Sequence, residues 1–246
     1  MKKISLLIMF LALTLVIQGC QLLVFEENTF EYRQLSDQYN EYVMNDIINF
    51  DDFMSFMNEA SNVTATSVFM IETDILDVFN RVTTTYHGTG TLFFDDVSYL
   101  YILTTFQVID LNSRRVHYFV TDAYGEKMPA EIFAADSTLG LGILRVDRNS
   151  KDYEVINFAS YLPLSDELVL MISDSFPTQN IQKLGYFLYQ DETSYMEVTS
   201  SQNANGAPIF NLKLEMIGIQ YLYGDTYVQI IDYNTIDDFI RPLLPI

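Results

Sequence analysis

The sequence predicts a mainly β protein, a barrel or sandwich of short strands behind an N-terminal helical segment and closed by a short C-terminal helix. Three observations carry this. After Asn62 the chain turns to short β-branched and aromatic runs, such as Thr66 to Ile71, Tyr99 to Thr105, Val116 to Thr121 and Glu215 to Tyr223, separated by Gly, Asp and Asn turns. Short strands at such spacing, with little helix between them, build barrels and sandwiches. Before that point, Phe30, Leu35, Tyr39, Tyr42, Val43, Ile47, Phe53, Phe56 and Met57 fall mostly three or four apart with acids between them. That spacing predicts helix from about Asn28 to Ala60, in two pieces broken near Phe50-Asp51. Asp232 to Arg241, halted by Pro242, reads as the closing helix.

The first residues have a different purpose. Lys2 and Lys3 precede an apolar run from Ile4 to Val16, and Ile17-Gln18-Gly19-Cys20 closes it. This is the order of a secretory signal peptide, with an apolar core shorter than the roughly 20 residues a membrane span needs. The ending resembles the lipobox of bacterial lipoproteins, which implies cleavage after Gly19 and a diacyl lipid on Cys20. Cys20 is the only cysteine, so no intrachain disulfide competes for it. Two acyl chains, at about 0.8 kcal/mol per buried methylene, hold a protein stably where one would not. The expected organisation is a signal peptide over 1–19, a tether and helical segment over 20–61, and one β domain over 62–246. The expected location is the extracytoplasmic face of the cell membrane, with no further span.

Charge narrows the partners. The chain has 13 basic and 33 acidic side chains, and loss of residues 1–19 removes two lysines and no acid, leaving 11 − 33 = −22. A nucleic-acid binder needs a basic face, and none forms here, so no nucleic-acid partner is expected. The acidic balance favours solubility and suits a basic partner. With 18 Phe and 17 Tyr, a substantial core is within reach without disulfides.

Four short motifs then follow in a telling order. His87-Gly88-Thr89-Gly90-Thr91-Leu92 leads to Tyr101-Ile102-Leu103-Thr104-Thr105-Phe106-Gln107-Val108-Ile109. Next come Ala135-Asp136-Ser137-Thr138-Leu139-Gly140-Leu141-Gly142-Ile143-Leu144-Arg145-Val146, then Asn203-Ala204-Asn205-Gly206-Ala207-Pro208-Ile209, then Glu215-Met216-Ile217-Gly218-Ile219. The series resembles trypsin-like serine proteases of the bacterial HtrA type over about Ser67 to Leu243. The resemblance implies a double β-barrel and leaves no room after it for the PDZ domain that many such proteases carry.

The departures concern chemistry. By the resemblance, Gln107 stands where the family has its histidine, Gly140 where it has its aspartate, and Asn205 where it has its serine. A general base must take a proton near neutral pH, which a carboxamide cannot do. A nucleophile needs an activatable hydroxyl or thiol, and Asn205 has neither. Gly140 has no side chain with which to orient a base. Asn203 stands where the family's oxyanion turn has a glycine, and asparagine enters positive φ less freely. The expectation is a domain without protease activity.

Other residues offer little chemistry. His87 and His117 match no family position and are expected to be exposed structural residues. Ser200 and Ser201 are the hydroxyls nearest the degenerate loop and read as a turn. Asp95-Asp96 and Asp237-Asp238 lack the alternating ligands of a calcium loop and read as a solvated turn and a helix face, so no metal and no cofactor is expected. By motif order Gln220-Tyr221-Leu222-Tyr223, following Gly218-Ile219, is the strand that in the family pairs with substrate backbone. It can capture an extended peptide by adding it as a strand, or Tyr221 and Tyr223 can simply pack the barrel wall. Three functions stay open: an inactive surface protein that binds peptide or protein, an active hydrolase with a shifted site, and a purely structural surface protein.

Overall fold

A computed structural model describes residues 50–109, 115–175 and 179–244. The first described element is α1 (Phe50–Thr64). Its Phe56, Met57 and Ala60 fall at the spacing of one helix face, and all three join the central apolar cluster. The helix runs four residues past its expected end because the polar residues there are satisfied inside it: the Thr64 hydroxyl donates to the Ala60 carbonyl at 2.6 Å. The expected helical residues 28–49 lie outside the described residues, as do the signal segment and Cys20.

Twelve strands follow, in two closed antiparallel barrels. The first barrel holds β1 (Val68–Leu76), β2 (Val82–Asp95), β3 (Tyr99–Thr105), β4 (Val116–Thr121), β5 (Lys127–Asp136) and β6 (Leu141–Asp147), paired in the order β1-β2-β3-β6-β5-β4 and back to β1. Between β3 and β4 lies the single turn α2 (Phe106–Ile109). The interior is apolar, with Phe69, Ile71, Leu92, Ile102, Val120 and Leu144 all fully buried. Their neighbours along β1, β3 and β6 point out of the barrel yet are largely buried too, because those strands are covered on both faces.

The second barrel holds β7 (Leu168–Ser175), β8 (Gln179–Gln190), β9 (Thr193–Glu197), β10 (Pro208–Phe210), β11 (Met216–Leu222) and β12 (Tyr227–Asp232), paired as β10-β11-β12-β9-β8-β7. Val169, Met171, Phe187, Met196, Ile209 and Val228 fill it. The closing helix is α3 (Tyr233–Ile240), with Asp232 as its N-cap accepting from the Thr235 N–H at 3.0 Å.

A third cluster joins the halves. Leu103, Leu141 and Ile143 of the first barrel meet Leu170, Ile172, Phe210 and Ile219 of the second, under Ile236, Phe239 and Ile240 of α3. Closed barrels leave no free sheet edges, so the exposed backbone sites are confined to strand ends and loops. The interface between barrels is where such ends converge.

Candidate functional site

Gln107 sits on α2, on the exposed side of the turn. Val108 and Ile109 anchor that turn by entering the first barrel's core, where Gly88 and Gly142 leave the room that a side chain would take. The Phe106 N–H donates to the Gly140 carbonyl at 2.8 Å, which ties α2 to the turn before β6. Gly140 is buried and has φ +73°, a conformation that favours glycine.

Asn205 arrives from the other barrel, at the end of a 3₁₀ turn over Gln202–Ala204. The following Gly206 has φ +87°, and a side chain there would strike the Thr89 carbonyl and the Thr104 hydroxyl of the first barrel. The loop is therefore pressed against β2. The Thr89 N–H donates to the Asn205 carbonyl at 2.9 Å, and the Thr89 hydroxyl donates to the Asn203 carbonyl at 3.1 Å.

The side chains form one continuous ladder. Asn205 Nδ2 donates to Gln107 Oε1 at 3.3 Å, across the two barrels. Gln220 Nε2 donates to Asn205 Oδ1 and to the Ser201 carbonyl, each at 3.0 Å. Ser200 Oγ donates to Gln220 Oε1 at 2.6 Å. Gln220 is fully buried and Asn205 is 3% exposed, so these bonds replace hydration rather than compete with it. Three carboxamides and a neutral hydroxyl are wired together, and none of the links is an acid, a base or a thiolate.

Backbone donors in the loop are also engaged. The Asn205 N–H donates to the Gln202 carbonyl at 3.0 Å, and the Ala204 N–H to the Ser201 carbonyl at 3.1 Å. A donor that stabilises developing negative charge must be free to point at it, and the Asn205 N–H instead closes the 3₁₀ turn.

Tyr221 occupies the space next to Gly140. A Cβ on Gly140 would lie 2.7 Å from Tyr221 Cε2 and 3.3 Å from Ile231 Cδ1. Tyr221 thus packs into the central cluster, while Leu222 and Tyr223 are exposed. On one side, β11 pairs with β12 as far as Leu222. On the other, pairing ends at Gln220, whose N–H donates to the Ala207 carbonyl and whose carbonyl accepts from the Gly206 N–H. Gln220, expected on the peptide-facing strand, has its backbone and its side chain committed internally. Among the described residues no strand pairs with 221–223 on that side, so the free edge is three residues long.

The remaining candidates have ordinary partners. His117 is exposed and edge-on to Phe119 at 6.4 Å. His87, expected to be exposed, is half-buried, and its Nδ1 is buried without a partner among the described residues. It lies on β2 in register with Glu72 of β1. Asp95 pairs with Arg148, and Asp237 with Arg241. Asp96 Oδ1 accepts from the Ser98 and Tyr99 N–H groups at 2.7 Å, and these bonds hold its carboxyl below the ordinary value of 3.8. Among the described residues no group of three or more His, Cys, Asp or Glu side chains is placed to hold a metal, and no helix is long and apolar enough to cross a membrane.

The hub residue Gln220 and its partner Ser200 are what the sequence reading did not assemble. A carboxamide two residues after a Gly-Ile strand step gives no local signal that it turns inward beneath a loop fifteen residues earlier. The Gly140–Tyr221 contact is equally invisible locally, because it joins two barrels.

The sequence profile of the trypsin-like peptidase domain matches residues 88–219, more than half of the chain. No curated protein matches it. With two six-stranded barrels meeting at the loops of Gln107, Gly140 and Asn205, and with that profile spanning both, the chain belongs to the trypsin-like peptidase domain family.

Proposed function

We propose that this chain is a lipid-anchored surface protein whose trypsin-like domain performs no hydrolysis and instead captures an extended segment of another protein. The observation that carries the reading is the Asn205 amide, bonded at once to Gln220 and Gln107. Proteolysis at this place would need a hydroxyl that a neighbouring base can ionise, and the ladder offers a carboxamide on either side of a carboxamide. Removal of a triad leaves only about 10³–10⁴-fold acceleration over water, from binding and oxyanion donors. The engaged Asn205 N–H argues against even that remainder.

Capture is supported by the edge at Tyr221, Leu222 and Tyr223, which has backbone free on one side and two exposed apolar side chains beside it. A short segment laid against it gains main-chain hydrogen bonds without any chemistry. Anchoring rests on the Lys2 to Cys20 segment and places the domain outside the membrane. The competing reading, a hydrolase with a shifted nucleophile, finds no support at Ser200, because its hydroxyl donates to an amide oxygen rather than to a base.

The test combines a fluorophosphonate probe with a casein assay and a pull-down from surface extracts. The expected outcome is no labelling and no cleavage, with a retained partner that is lost when Leu222 and Tyr223 are changed to Asp. Labelling that disappears in Ser200→Ala would overturn the reading.

A further inference from the structure

The cations of this protein are unevenly spent. Among the described residues, five of them lie over aromatic rings: Arg81 over Phe79, Lys127 over Phe119, Arg145 over Tyr99, Lys151 over Tyr124 and Lys213 over Tyr161, at 4.4 to 5.6 Å. The ion pairs follow the same distribution. Those of Asp77, Glu72, Glu131, Asp95, Asp122 and Glu126 all fall between residues 72 and 151. The second barrel, residues 168–232, holds two lysines against seven acids. Lys183 donates to the Thr199 carbonyl and Lys213 lies over Tyr161, so both are engaged.

The outer face of that barrel is rich in tyrosine. Glu197 of β9 is in register with Tyr186 of β8 on one side and with Tyr227 of β12 on the other. The neighbours Phe187, Met196 and Val228 are buried in the barrel, so Tyr186, Glu197 and Tyr227 share the outward face. Tyr186 and Tyr227 are 51% and 48% exposed, which leaves the rings open to a partner. Tyr195, two residues before Glu197 on the same strand, is on the same face. Strand spacing puts the two outer tyrosines about 10 Å apart with the carboxylate between them. Among the described residues no cation lies over Tyr186, Tyr195 or Tyr227, and none pairs with Glu197. Asp225 near one end of the face, and Asp191 and Glu192 at the other, add carboxylates without ion partners.

We propose that this face of β8, β9 and β12 docks an extended segment of another protein carrying Arg or Lys at alternate positions. Ring faces are electron-rich, and a carboxylate between them deepens the attraction for a cation. Alternate side chains of an extended segment lie about 7 Å apart on one face, the same repeat that separates Tyr195 from Glu197. The partner supplies the cations that this barrel lacks. The face is distinct from the edge at 221–223, and the inference does not depend on capture there.

The test uses the full-length chain and fluorescent peptides alternating Arg with Thr, Gln with Thr, and Glu with Thr, followed by anisotropy. The Arg peptide is expected to bind and the other two to bind weakly or not at all. Changing Tyr186 and Tyr227 together to Leu keeps apolar area but removes the rings, and should weaken the Arg peptide roughly five- to thirtyfold. Changing both to Phe should preserve binding, and Glu197→Gln should weaken it and flatten its salt dependence. Thermal melts of each variant establish that the barrel is folded. Equal binding of the Gln peptide, wild-type affinity in the Leu variant, or displacement of the Arg peptide by a neutral soluble β-glucan would overturn the proposal, the last by making the face a sugar platform. Loss of Arg-peptide binding in Tyr223→Ala, with retention in the Leu variant, would move the site to the cleft edge and overturn it equally.

Discussion

Gln220→Leu is the sharpest probe of the ladder, because one substitution of similar volume removes three hydrogen bonds from a fully buried side chain. The leucine strands Asn205 Oδ1, which is out of water, and deprives the Ser201 carbonyl and the Ser200 hydroxyl of their partner. A buried polar atom left unsatisfied costs about 1–3 kcal/mol, and the two groups nearer solvent cost less. Burying leucine in place of an amide returns about 1–2 kcal/mol. The net expectation is a loss of about 1–3 kcal/mol. The sign of the coupling is more telling than the size. Asn205→Ala alone removes two hydrogen bonds, to Gln220 and to the exposed Gln107, leaves Gln220 Nε2 with the Ser201 carbonyl and costs roughly 1–2 kcal/mol, plus whatever cavity remains. Made in the Gln220→Leu background, the same change removes the stranded oxygen and should cost far less, or stabilise. Urea unfolding followed by circular dichroism measures the cycle, and the chain has no tryptophan to follow by fluorescence. Coupling of about 1–3 kcal/mol is expected, and costs that add to within about 0.5 kcal/mol would refute a working ladder.

Gly140→Ala should destabilise by about 2–4 kcal/mol, from a left-handed φ and the clash with Tyr221, and about half of that should vanish in a Tyr221→Ala background when both are melted in urea. The Tyr153 phenol is held above its ordinary value of 10.0, first by burial and then by its bond to Asp122 at 2.8 Å. A folded-state value above the unfolded one gives stability that is complete below about pH 10 and is lost as pH rises past it, so Tyr153→Phe should flatten the alkaline limb of a stability–pH curve. Cys20→Ser should abolish incorporation of labelled fatty acid, and unchanged labelling would remove the anchor. The triple change Gln107→His, Gly140→Asp and Asn205→Ser should yield at most weak hydrolysis of chromogenic peptides, because Tyr221 fills the space beside residue 140 and the Asn205 N–H closes the turn.

Much of the fold was legible because it is written in local periodicity. Tyr99–Thr105 and Val116–Thr121 coincide with the strands expected there, since each is a β-branched and aromatic run between turn residues. The closing helix was legible from Asp232 as a cap and Pro242 as a stop, with Ile236, Phe239 and Ile240 on one face. The helix end expected near Ala60 falls four residues short because β-branched residues begin after Asn62, whereas Thr64 satisfies its hydroxyl on the helix's own carbonyl. The barrel closure came from the order of four motifs rather than from any single one. His87 reads as exposed from its polarity alone, whereas it lies half-buried on β2 with Glu72 of β1 in register. Gln220 was read as part of an outward edge by analogy of position, while its inward turn depends on Asn205 and Ser200, which no window of sequence brings near it.

If the site is inactive, as proposed, Gly140, Asn205 and their neighbours make sense as a set rather than one by one. A carboxylate beside α2 and an aromatic at 221 could not share one space, since even a Cβ at 140 comes within 2.7 Å of the ring. Glycine at 140 therefore admits Tyr221, and Tyr221 joins the cluster that welds the barrels together. In the same way an amide at 205 needs two partners that a hydroxyl would not, and Gln220 and Gln107 supply them from opposite barrels. Titratable groups held in a cleft carry a cost in desolvation and strain that only catalysis justifies. On the proposed reading, neutral amides in their place satisfy the same buried positions without that cost, and they link the two barrels across the site. On the same reading, such a domain presents its strand edges and outer faces to other proteins, which is where its unpaired backbone and uncapped rings are found.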